Sequence, residues 1–154
     1  MQVSARTDYA LRAAAELARV RSEEAGPLKG SWISSSQNIP KKFMENILHD
    51  LKRAGLVQTQ RGATGGYWLA LPPEEVTLAD VIRAVEGPLA NVRGGWPEDA
   101  EYTGPAEPLL RIWIAVRANL RAVLETVTLV DLIEDNLPAT IDELTRAPEA
   151  WVHH

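Results

Sequence analysis

The residues best suited by type to do chemistry lie between Pro40 and Tyr67. Lys41, Lys42 and Glu45 open one segment, and Arg61 precedes three glycines within five residues, Gly62, Gly65 and Gly66. A phosphate-binding loop needs the string GxxxxGK followed by Ser or Thr between a strand and a helix, so that helix N-terminal amides face the anion. Here no lysine follows the glycines, and Tyr67–Leu71 reads as a strand. The dinucleotide fingerprint GxGxxG fails as well. The glycines suit a hairpin tip, where Gly65 and Gly66 are expected to take positive φ without steric cost. Beside it, Lys41 and Lys42 can neutralise phosphates, and Arg61 can grip guanine or enter a narrow minor groove. Glu45 can accept from a cytosine amino group, or pair with Lys41 or His49 along its own helix.

Those residues need elements that bring them to one edge. Residues 4 to 20 have a helical period, with Ala10, Ala13, Ala14 and Leu17 on one face and Ser4 as N-cap. After a loop closed by Gly26-Pro27, a short helix covers about Ser31 to Gln37. The next helix opens near Pro40 and stops at Gly55. Its expected core face is Phe43, Ile47, Leu48 and Leu51; the other face, with Lys41, Lys42, Glu45, Asn46, His49 and Lys52, is polar and mostly basic. Strands near Leu56–Gln60 and Tyr67–Leu71 flank the glycines as a hairpin. Thr77 starts another amphipathic helix, with Leu78, Val81, Ile82 and Val85 on one side.

Gly87 to Pro108 is rich in Gly, Pro and acids, and reads as a loop. Then Leu109, Trp113, Val116, Leu120, Val123, Val127 and Val130 recur at spacings of 4, 3, 4, 3, 4 and 3, a heptad-type seam. A second copy buries such a seam more easily than the chain's own domain does. Short helix, turn, basic-faced helix and arginine-bearing hairpin together make a winged helix-turn-helix. In that motif the second helix enters the major groove and the wing touches the adjacent backbone or minor groove.

Composition agrees with a DNA-binding domain and excludes other classes. The chain has no cysteine, so disulfides, zinc ribbons and cysteine-ligated iron–sulfur clusters are ruled out. No paired histidines or Ser–His–Asp arrangement supports an enzyme. The net charge of −5 hides an asymmetry: residues 29–73 carry six Lys or Arg against two acids, and residues 74–154 carry six against fifteen. A basic middle on an acidic protein is where a polyanion docks. No apolar run approaches the roughly 20 residues of a membrane span, and the start lacks a signal-peptide pattern, so a cytoplasmic location is expected.

The string "IPKKFMENILHDLKRAGLVQTQRGATGGYWLALPPEEVTLADVIRAVEGP", with "YALRAAAELA" near the start, strongly resembles the IscR/NsrR/CymR family of bacterial winged-helix regulators, also called the Rrf-two family. The resemblance covers residues 1 to about 90 continuously, and the helix from Leu109 fits that family's dimerisation helix. It implies a homodimeric repressor or activator on a palindromic operator in double-stranded DNA. The implied fold class is mainly α with a small β-hairpin: a winged helix-turn-helix domain plus a long C-terminal dimerisation helix. The implied divisions are 1–86 for DNA binding, 87–108 for a sensor-type loop, 109–135 for dimerisation and 136–154 for a tail. Implied DNA contacts are Pro40, Lys41, Lys42 and Glu45 at the start of the recognition helix and Arg61 in the wing, with Thr64 and Gly65 beside it. Where Pro40 stands the family often has serine, and near Lys42 small polar residues, so heavier reliance on phosphate contacts is expected.

Many relatives bind an iron–sulfur cluster through three cysteines in the loop before the long helix. Gly94 and Ala100 fall near those places here, and Asp8 stands where some members supply a further ligand. No cluster and no other cofactor is therefore expected. Cysteine-less members resemble the CymR branch, which acts without a cofactor and through a partner protein. A small-molecule effector is the other source of control, and its candidate pocket is Tyr9, Trp96 and Trp113 with Asp8. Trp113 filling the dimer core is the alternative. A winged helix that binds protein instead of DNA is the competing function, and Lys41, Lys42 and Arg61 on one edge weigh against it.

Overall fold

The structure is a computed structural model describing residues 2–153. Its spine is helix α1 (Ala5–Ser22), capped by the Ser4 hydroxyl, which accepts from the Thr7 N–H at 3.0 Å. Ala10, Ala13, Ala14, Leu17 and Ala18 are fully buried. Four of these five are alanine, so other backbones can approach the axis closely, and α3, α4, α6 and one strand pack around it.

Helix α2 (Gly30–Ser36) and helix α3 (Lys41–Arg53) form the helix-turn-helix. In the turn Asn38 adopts φ of +51°, a conformation asparagine tolerates. The Ile39 N–H bonds the Ser34 carbonyl at 2.8 Å, and the Ser34 hydroxyl returns a bond to the Ile39 carbonyl. Arg12 donates to the Gln37 carbonyl at 3.0 Å, fixing the turn on α1. The core face of α3 is Met44, Ile47, Leu48 and Leu51, which corrects the sequence expectation at its first residue. Met44 lies three and four residues before Ile47 and Leu48 and so shares their face. Phe43 adjoins Ile47 alone; it is 42% exposed and lies edge-on to Tyr9 at 5.4 Å between ring centres. Trp32 on α2 is also exposed, with the Arg19 guanidinium 5.8 Å from its ring centre.

Gly55, at φ of +78°, ends α3 and leads into the antiparallel hairpin of β1 (Val57–Gln60) and β2 (Gly66–Leu69), with Val57 opposite Leu69 and Gln60 opposite Gly66. Val57 and Leu69 anchor it in the core. Leu28 adds a rung at the other edge, its N–H to the Tyr67 carbonyl at 2.8 Å and its carbonyl accepting from the Tyr67 N–H at 2.7 Å. The glycines work differently from the expectation. Gly62 (φ +107°) and Gly66 (φ +156°) take positive φ, whereas Gly65 does not. Gly65 is required by space, because a Cβ there would lie 2.7 Å from the Gln60 carbonyl carbon.

Helix α4 (Leu78–Glu86) starts at a capping box, with Thr77 and Asp80 exchanging hydrogen bonds. Helix α5 (Leu109–Leu124) follows the long loop, and α6 (Leu129–Glu134) starts at a second capping box of Thr128 and Asp131. The expected continuous helix through Val130 is thus broken at residues 125–128. Val76–Ile82 and Val127–Ile133 share the pattern V-T-L-x-D-x-I, and Thr77 pairs with Thr128 as an antiparallel bridge, Leu78 N–H to Val127 O at 3.0 Å and Leu129 N–H to Val76 O at 2.8 Å. Val127 and Leu129 are consequently buried in the core of their own chain. The C-terminal segment contains a further helix, α7 (Ala139–Arg146). No helix among the described residues is long and apolar enough to cross a membrane.

Candidate nucleic-acid interface

Helix α3 turns its buried face toward α1 and α2 and leaves the other free. Pro40, Lys41, Lys42, Glu45, Asn46, His49 and Lys52 are all exposed. Among the described residues, neither Lys41, Lys42 nor Arg61 forms an ion pair, and Glu45 pairs with neither Lys41 nor His49. Their charges are thus not spent within the chain. The helix is held in place from behind by Asp50, which is 8% exposed and pairs with Arg6 of α1 and, at 3.3 Å, with Arg53.

The wing is tied to the helix-turn-helix at two points. Lys29, just before α2, donates to the Gly62 carbonyl at 2.8 Å, and Lys52 donates to the Thr59 hydroxyl at 3.1 Å. Between wing and helix lies a groove of about 540 Å³, lined by Lys29, Glu45, His49, Lys52 and Arg61 among others. Arg61 and Thr64 are exposed at the tip, whereas Gly65 is buried and offers no side chain. Tyr67 leans on the core, and Trp68 faces other grooves, as alternation along a strand requires. The sequence reading left Lys29 and Lys52 out of the site. The local excess of basic residues was their signal, but only the tertiary fold places Lys29 under the wing.

This assembly can read DNA: unpaired cations for phosphates, a carboxylate and amides for base edges, and an arginine held to one side. A family model described as "Rrf2: Iron-dependent Transcriptional regulator" matches residues 3–135. The chain belongs to the Rrf2 family. Rv1287 of Mycobacterium tuberculosis (strain H37Rv), named for an HTH-type transcriptional regulator, is 40% identical over 156 residues, covering 99% of this chain and 96% of that protein. The HTH-type transcriptional regulator CymR of Bacillus subtilis is 35% identical over 133 residues, covering 86% of this chain and 89% of CymR. Among solved structures, CymR of B. subtilis, titled the global cysteine regulator, superposes with a TM-score of 0.72 at 34% identity, covering 88% of this chain and 98% of that one. IscR of T. potens gives 0.70 at 29% identity, covering 88% of each. This Rrf2 chain is therefore a winged-helix, DNA-binding transcriptional regulator and not an enzyme.

The residues present do not fit the iron centre in the Rrf2 description. The chain offers no thiolate, and Gly94 and Ala100 carry no donor. No group of three His, Asp or Glu residues among those described could hold a metal. Asp8 is engaged by Arg12, whose guanidinium also lies 5.1 Å from the Tyr9 ring centre.

The four candidate effector residues do not meet in one cavity of the chain. Tyr9 and Asp8 lie with Arg12 and Phe43 beside the helix-turn-helix. Trp113 lines a largely apolar cavity of about 990 Å³ with Ile82, Tyr102 and Leu120, between the start of α1, the end of α4, the loop and α5. Trp96 lines a separate groove of about 540 Å³ on the other flank of α5. Pro88 and the buried Leu89 line both and divide them. In the second groove the Glu98 carboxyl is held below its ordinary range, first by its own backbone N–H and then by Arg117.

Proposed function

We propose that this chain regulates transcription in the bacterial cytoplasm as a homodimer that recognises a two-fold symmetric operator and represses from it. The observation that carries this is the exposed and unpaired set Lys41, Lys42, Glu45 and Arg61, on one helix face and the adjacent wing. Lys41 and Lys42 bind phosphates and set the register; Glu45 reads a base edge near the start of α3; Arg61 reads guanine or a narrow minor groove. Pro40, Thr64 and the backbone at Gly65 complete the contact.

Support for the dimer comes from α5. It is sixteen residues long and carries Leu109, Ile112, Trp113, Val116, Leu120 and Val123, yet none of its residues is buried in the single chain. A second copy related by two-fold symmetry would cover that stripe and place two recognition helices on half-sites about one helical turn, or a multiple of it, apart. An effector or a partner protein would act by changing that spacing.

The test is selection of genomic fragments by the purified protein, followed by affinity for the selected sequence at several salt concentrations. Tight binding to a palindrome, falling steeply with salt, is the expected result. Weak binding indifferent to sequence would overturn it in favour of a wing that meets protein.

A further inference from the structure

We propose that the groove between α4 and α5 is a binding site for a planar aromatic carboxylate, the class of effector this regulator senses. The regulatory consequence rests on the function proposed above; the binding itself does not.

Residues 74–154 are strongly acidic, yet three of their six basic side chains converge here: Arg83 from α4, and Arg117 and Arg121 from successive turns of α5. Trp96 stands at the mouth, 51% exposed. Such an indole is an unfavourable surface for water but a suitable one for a flat ring. Arg83 is taken by Glu125 and, at 3.9 Å, by Asp80, whereas the two α5 guanidiniums have spare donors. Arg117 uses one terminal nitrogen on Glu98 at 2.6 Å, and Arg121 uses Nε on Glu125 at 3.0 Å. Each guanidinium carries five N–H groups in a fixed fork, so Arg117 and Arg121 can still grip a carboxylate together.

Glu98 is the internal substitute for the ligand. It sits on a three-residue turn, Pro97–Asp99, and is half exposed, whereas its partner Arg117 has only 19% of its side chain exposed. An incoming carboxylate takes the place of the Glu98 carboxylate on Arg117, and Glu98 moves out into water with its charge solvated. Charge balance in the groove is thus kept at the moment of exchange. Arg117 and Arg121 lie on the flank of α5 turned away from the apolar cavity that Trp113, Val116 and Leu120 line. A ligand gripped by the two α5 arginines would lie against Arg83 and Gly87 at the end of α4, joining α4 of the DNA-binding domain to α5, which is how occupancy would reach operator affinity.

The test is calorimetric titration of the DNA-free full chain with benzoate, cyclohexanecarboxylate and inorganic phosphate. Benzoate is expected to saturate one site per chain, with cyclohexanecarboxylate and phosphate about tenfold weaker or worse for lack of a π face. Trp96→Ala and Arg121→Gln, both at exposed positions, should each weaken benzoate about tenfold with an unchanged circular dichroism spectrum. Glu98→Gln should tighten it, because the competing carboxylate is gone; a merely structural ion pair predicts no gain. Absence of saturable binding at millimolar benzoate overturns the proposal. So does binding indifferent to all three substitutions, or equal binding of phosphate. Operator affinity measured in parallel separates the two ideas: benzoate binding without DNA binding sinks the regulator, and the reverse sinks this site.

Discussion

Replacing Gly66 with alanine tests whether the wing is held at its base. A Cβ at Gly66 would stand 2.6 Å from the Leu28 carbonyl carbon and 3.2 Å from the Leu28 nitrogen. Reaching ordinary carbon–carbon contact requires the two backbones to part by roughly 1 Å. That movement opens the pair of hydrogen bonds between Leu28 and Tyr67, now 2.8 and 2.7 Å long. Each is worth about 0.5–1.5 kcal/mol net, and a strained φ adds about 1 kcal/mol, so Gly66→Ala should cost about 2–4 kcal/mol. A domain with about 5–15 kcal/mol of stability survives this folded. Gly62→Ala is the control: its φ is +107°, but nothing lies within 4 Å of the added Cβ, so strain alone acts, about 1 kcal/mol. Urea unfolding followed by tryptophan emission measures both variants. Operator binding should fall for Gly66→Ala because Arg61 is displaced with the wing. The reasoning is refuted if Gly66→Ala lies within about 0.5 kcal/mol of the parent chain, or costs less than Gly62→Ala.

Arg61→Ala should weaken specific binding by about 1–3 kcal/mol and relax preference at one or two base pairs; uniform weakening over all sequences would make Arg61 a phosphate contact only. Lys42→Ala should lower the salt slope of operator binding by about one unit, and an unchanged slope would place Lys42 off the DNA. Leu120→Glu puts a charge in the half-buried apolar stripe of α5 and should give monomers by light scattering; an intact dimer would send the interface elsewhere. Glu125 receives Arg83 and Arg121, and the Arg83 hydrogen bond foremost holds its carboxyl below the ordinary 4.5. A depressed folded-state value means that this contribution is full above 4.5 and fades as the pH falls through the lower, folded value. The thermal midpoint of Glu125→Gln should therefore lie below that of the parent at neutral pH and converge with it in acid; a gap that persists in acid would mean packing, not charge.

Much of the exposed basic edge proposed to read DNA was legible in the residues themselves. Ser4 as cap, the alanine face of α1, Gly55 as helix stop, and the paired strands around the glycines follow from neighbour-range rules: caps, period 3.6, period 2, and positive φ. Lys41, Lys42, Glu45 and Arg61 are solvent-facing because their apolar neighbours on α3 and β2 had to turn inward. The string V-T-L-x-D-x-I occurs twice, and read as a repeated capping box it already ends α5 before Thr128. The heptad spacing of Val127 and Val130 pointed the other way, because apolar residues at 3 and 4 fit a continuing helix equally well.

What the tertiary structure alone decided is every feature that depends on two distant segments meeting. Leu28 clamps Tyr67 and so makes glycine obligatory at Gly66. Lys29 reaches under the wing to Gly62 across 33 residues of sequence. Thr77 and Thr128 are joined in one bridge, which draws Val127 and Leu129 into the core and leaves no residue of α5 buried. Pro88 and Leu89 divide the space around α5, so Trp96 and Trp113 part company, while Tyr9 and Asp8 are held beside the helix-turn-helix. Periodicity is a property of one segment and its own backbone; which segment covers which is settled by burying the summed apolar faces of all of them at once.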